Sequence, residues 1–110
     1  MINNEFEKGK VFSFSKEIDY ANGSIVSKIL LKKLSGNVSL FSFTKGQNLS
    51  EHTAPFDAMV QIIEGEAEIL INKESFILFN GDCIIMPANI PHAVNAIENF
   101  KMVLTMIKSE

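Results

Sequence analysis

Residues 46–65 read GQNLSEHTAPFDAMVQIIEG, and this stretch decides the fold. KGQNLSEHTAP (45–55) is glycine, proline and small polar residues, a loop by composition that places His52 in a short turn. AMVQIIEG (58–65) is apolar, carries β-branched residues and closes on a glycine, which reads as a strand running into a tight turn. The same texture repeats on both sides. SIVSKILLKK (24–33) and NVSLFSFT (37–44) precede it, and EAEILIN (66–72), SFILF (75–79), CIIMP (83–87), HAVNAI (92–97) and FKMVLTMI (100–107) follow. NGD (80–82) and ANIP (88–91) supply turns between them. Alternation with a period of two and short strands about ten residues apart predict an all-β fold, a closed barrel or a sandwich. Near the N-terminus, KVFSFS (10–15) reads as an edge strand and IDYANG (18–23) as a turn.

Composition bounds the function. The 110 residues, 46% hydrophobic and 21% charged, fit one soluble globular domain over 1–110 with a core of its own. A net charge of -3 gives no electrostatic footprint for nucleic acid. All ten basic residues are lysines, so no guanidinium fork is available for phosphate or carboxylate. The single cysteine, Cys83, rules out a disulfide framework and a cysteine-based zinc knuckle. No apolar run approaches the length of a membrane span. The start MINNEFEKGKVFSF lacks the basic and long apolar regions of a secretory leader, so the expected location is the cytoplasm.

Six residues stand in a spacing that turn chemistry alone does not require. Gly46 is followed by five residues and His52, and Gly65 lies thirteen positions further on; Gly81 is followed by five residues and Pro87, with His92 five positions later. This pattern resembles the two short motifs of the cupin superfamily, here at 46–65 and 81–96. The resemblance implies a double-stranded β-helix (jelly-roll type) cupin barrel. It also implies a metal site of three histidines and one glutamate, and the sequence departs from that set. Ala54 stands at the second histidine position, Ala58 at the glutamate position and Ala96 at the final asparagine position, while Asn89 replaces a turn glycine. Asparagine accepts left-handed backbone angles, so that last change is compatible with the turn.

The resemblance places the chain's two histidines, His52 and His92, on ligand positions. Alternation adds Ala54, Phe56, Ala58, Val60 and Ile62 to the face of His52, and Val94 and Ala96 to that of His92. With Met86 they predict a mostly apolar barrel pocket holding two inward imidazoles, suited to a compact ligand. As metal ligands the two rings suit Zn, Ni, Fe, Mn or Cu, with Asp57 as a third donor if a bulge at APFD turned it inward. No cofactor is certain. Cys83 and Met86 read as packing residues.

Three functions stay open. The first is a small-molecule-binding module. The second is a metal-dependent enzyme of isomerase, lyase or dioxygenase type using His52 and His92. The third is a filled barrel with a structural or interaction role. FKMVLTMI is apolar on both faces, and the outer one needs a cover, either the N-terminal strands or a partner subunit. Small cupins commonly pair through such sheets, which implies a homodimer.

Overall fold

The structure, a computed structural model, describes residues 5–108, so the ends of the expected 1–110 domain lie outside the described residues. A 3-10 turn at Phe14–Lys16 is followed by nine strands: β1 (Ile25–Lys33), β2 (Gly36–Phe43), β3 (Asn48–His52), β4 (Asp57–Glu64), β5 (Glu66–Ile71), β6 (Glu74–Phe79), β7 (Cys83–Met86), β8 (His92–Ala96) and β9 (Phe100–Ile107). They form two sheets, ordered β1-β2-β9-β4-β7 and β3-β8-β5-β6. Every strand pairing is antiparallel. The chain passes repeatedly between the sheets, and the result is the double-stranded β-helix expected from the sequence. Among the described residues, no helix is long and apolar enough to cross a membrane.

Alternation sends Ala58, Val60 and Ile62 of β4, Ala67 and Ile69 of β5, Val94 and Ala96 of β8 and Phe100 and Met102 of β9 into one shared core. Phe43 stacks on Phe100 within it at 4.5 Å between ring centroids. Val60, Ile62, Ala67, Ile69, Phe43 and Phe100 are all 0% exposed, so the barrel is filled with side chains below its mouth. Gly65 takes φ +89°, and a Cβ there would collide with the Asn99 carbonyl oxygen. Asn89 stands at φ 64°, the left-handed conformation that its place in the second motif requires.

Two sequence expectations need correction. The segment 45–55 is not all loop, because it contains β3. KVFSFS is not an edge strand: its only regular element is the 3-10 turn. Phe6, Phe12 and Phe14 instead pack edge to face, with ring centroids 4.8 and 5.8 Å apart. Phe6, Phe14 and Ile18 lie against Leu30, Leu40 and Val103, so the N-terminal segment covers part of the five-stranded sheet's outer face. Burying that apolar surface holds the strap down without a strand ladder.

A polar cluster pins the strap. Lys101, only 6% exposed, donates from Nζ to the Ser15 carbonyl at 2.7 Å. Its ammonium also lies 3.6 Å from a Glu64 carboxylate oxygen and 5.0 Å from the centre of the Tyr20 ring. The Tyr20 hydroxyl donates to the other Glu64 oxygen at 2.7 Å. Burial, the hydrogen bond to Glu64 and the carboxylate's charge all push the Tyr20 hydroxyl well above its ordinary pKa.

Candidate functional site

A bulge builds the site. β3 pairs with β8 as Leu49↔Val94 and then His52↔His92, so β3 spends three residues where β8 spends two. In a regular ladder residue 51 would oppose residue 92; the extra residue brings His52 round to the face of His92. His92 in turn pairs with Ile71 of β5, giving a row His52–His92–Ile71 across the four-stranded sheet at the barrel mouth.

The two rings meet. Their Nε2 atoms lie 3.1 Å apart, and the rings sit edge to face with centroids 4.3 Å apart. Each Nδ1 faces the carbonyl two residues earlier, Ser50 at 2.7 Å for His52 and Ile90 at 3.2 Å for His92. A carbonyl oxygen only accepts, so each Nδ1 is placed to donate to its carbonyl, and the two Nε2 atoms stand within hydrogen-bond distance of each other, with donor and acceptor roles set by the tautomers. His92 is buried, while His52 is exposed. Desolvation pushes the His92 imidazole below its ordinary pKa, the neighbouring His52 ring adds to this, and the Ile90 carbonyl opposes it. The result is a convergent pair of ring nitrogens at the barrel mouth.

The loops that carry the pair are tied together. The Asn89 N–H donates to the Ala54 carbonyl at 2.7 Å, and the Gly46 N–H to the Ala96 carbonyl at 2.9 Å. The Ala88 N–H donates to the Asp57 carboxylate at 2.8 Å. Sequence reasoning missed the Ser50 and Ile90 carbonyls that orient the rings, because backbone groups leave no signal in residue identity.

The other expected residues fall in three places. Ala58, Val60, Ile62, Met86, Val94 and Ala96 are buried in the core, Met86 at 4% exposure, and Ala58 also borders the groove around Phe56. Ala54 is half-buried in the loop beside it. Phe56 lies elsewhere, with Met59, Ile85, Thr105 and Ile107 around a groove of about 370 Å³, where the Lys108 ammonium stands 5.5 Å from its ring centre. Asp57 is not turned inward by a bulge; it caps Ala88 instead.

This arrangement does not fit a resident metal held by the protein alone. Among the described residues, no group of three or more His, Cys, Asp and Glu side chains converges. The alanines at positions 54 and 58 offer no donor, which leaves two imidazoles where transition-metal sites use three or four protein ligands.

Comparison with known proteins agrees with the fold and the motif spacing. The structure superimposes on a conserved protein of unknown function from Streptococcus pyogenes at 39% identity, TM-score 0.91, covering 99% of this chain and 95% of that one. A cupin superfamily protein from Desulfitobacterium hafniense is similar over 99% of both chains, at 26% identity and TM-score 0.86. A "cupin 2 conserved barrel domain protein" from Leptotrichia buccalis is 41% identical over 88% of this chain, TM-score 0.86; the match spans 47% of that longer protein. No curated protein matches. The family model described as "Cupin domain" matches residues 39–108, which hold both histidines and both motifs, and the chain therefore belongs to the cupin family.

Proposed function

We propose that this cupin is a small-molecule-binding module whose ligand anchors on the His52–His92 pair at the barrel mouth. One observation carries the reading: two imidazole Nε2 atoms from different strands converge to 3.1 Å at the barrel mouth. Imidazole nitrogens both donate and accept, so two of them at one place can engage a single polar group of a ligand together. A ligand hydroxyl or acid group meets this requirement. The packed interior restricts the ligand to the mouth, where half-buried Ile71, the strand partner of His92, offers apolar surface to its body. A compact molecule with one weakly acidic group suits this better than a large or highly charged one.

The test is imidazole-detected 1H–15N NMR during titration with benzoic acid, phenol, lactic acid and pyruvic acid. At least one should shift the ring nitrogens of both histidines and saturate, and His92→Ala should abolish the response. If all four leave both rings unmoved, the structural reading, a filled barrel with no ligand, replaces this one.

A cytoplasmic location and a homodimer belong to the same proposal. Met59, Ile85 and Ile107 remain exposed on the outer face of the five-stranded sheet, beyond the reach of the N-terminal strap. A second copy covering that face would be seen as twice the chain mass in sedimentation equilibrium. A monomer throughout the micromolar range would remove the dimer from the proposal.

A further inference from the structure

A second concavity lies away from the mouth, on the outer face of the five-stranded sheet. Its floor is one row across three neighbouring strands, Thr105 of β9, Met59 of β4 and Ile85 of β7, set side by side by the ladder register. Ile107 and Phe56 join that row in the lining, and the groove has a volume of about 370 Å³. Met59, Ile85 and Ile107 are all exposed. Exposed apolar side chains scattered singly are ordinary. Three gathered in one hollow of a small ligand's size mark a binding surface.

Charge selects the occupant. The Lys108 ammonium stands 5.5 Å from the centre of the Phe56 ring. It is exposed, and among the described residues it forms no ion pair. The one carboxylate in the lining, Asp57, is already engaged by the Ala88 N–H at 2.8 Å. An apolar guest therefore meets a cation beside the groove that the chain leaves uncompensated. We propose that this groove is a second ligand site, for a free carboxylic acid with a linear apolar tail. The tail lies along the Thr105–Met59–Ile85 row, and the carboxylate pairs with Lys108. Three neighbouring strands span about 10 Å at sheet spacing, which fits a tail of about eight carbons. The groove shares Met59, Ile85 and Ile107 with the face proposed above for a second copy, so acid and copy exclude one another there.

Titration with octanoate and with octanol, read by the methyl NMR signal of Met59, tests the proposal. Octanoate should shift that signal and saturate, by the same amount in the natural chain and in His52→Ala. Lys108→Ala should weaken octanoate about threefold, the scale of an exposed ion pair, and leave octanol unchanged. Ile85→Ser, at an exposed side chain, should weaken both ligands about fivefold through lost apolar contact. A Met59 signal that octanoate leaves in place overturns the proposal, and so does octanoate binding that Lys108→Ala does not weaken. If octanoate is silent at Met59 and Ile85→Ser halves the mass in sedimentation equilibrium, the occupant is a second copy and the acid site falls. If His52→Ala abolishes the response, the acid sits at the mouth: the groove falls and the ligand-binding reading above stands.

Discussion

Two polar clusters of this barrel, the Lys101 joint and the histidine pair at the mouth, are resolved in opposite ways. Around Lys101 every partner belongs to the chain: the ammonium has the Ser15 carbonyl and the Glu64 carboxylate, and Glu64 has the Tyr20 hydroxyl. At the mouth, the chain satisfies each histidine at Nδ1 and leaves the two Nε2 atoms facing one another. The first cluster has the completeness of a structural joint, fastening the strap to the sheet. The second sets two ring nitrogens at the mouth, where the proposed ligand would join them. The difference separates polar groups that hold a fold from polar groups kept for a ligand.

Stability measurements can break this contrast. Lys101→Ala leaves Glu64 without its ammonium partner, the Ser15 carbonyl without its donor and the Tyr20 ring without its cation. Because Glu64 keeps 37% of its side chain exposed, the expected loss is about 2–4 kcal/mol rather than the full cost of a split buried ion pair. His52→Ala, measured in the same urea titration, should cost little, since the His52 ring is exposed and no core packing is lost. Equal losses from the two substitutions would mean that the mouth is as structural as the joint.

Tyr20→Phe sharpens the contrast with a smaller effect. Removing the hydroxyl hydrogen bond to Glu64 should cost about 1 kcal/mol near neutral pH. The sign of the pH dependence follows from the raised Tyr20 pKa. In the unfolded chain the hydroxyl ionises near its ordinary value of about 10, while the folded protein still holds the proton. Above that pH the unfolded state binds fewer protons, so stability falls as pH rises. Urea midpoints followed from neutral pH to above 10 should decline more steeply for the natural protein than for Tyr20→Phe. Parallel curves would show that Tyr20 is not coupled to the cluster.

Much of this was legible in the sequence because period-two alternation fixes which side chains meet. The strands β4, β5, β8 and β9 come from that pattern, and the motif spacing brought His52 and His92 to one place. β3 escaped because NLSEH has a single apolar residue and faces solvent along most of its length. Period-two phenylalanines at 12 and 14 imitate a strand, yet they serve as ring-on-ring packing in a strap. The Lys101 cluster was invisible because its members stand as many as 86 positions apart, and a lysine in a strand ordinarily reads as a solvent-facing residue. Asp57 was misjudged for a different reason: a carboxylate near a candidate site looks like a donor until a backbone N–H is found to occupy it.

The surplus residue in β3 has a consequence for the chemistry of the doorway. If that strand ran regularly to its end, Glu51 would stand beside His92 and His52 would point away. The same composition would then yield an acid–base couple instead of twin nitrogens, with a charge of opposite sign to offer an arriving guest. One irregularity in backbone counting, with no substitution anywhere, thus selects which class of molecule the barrel can greet.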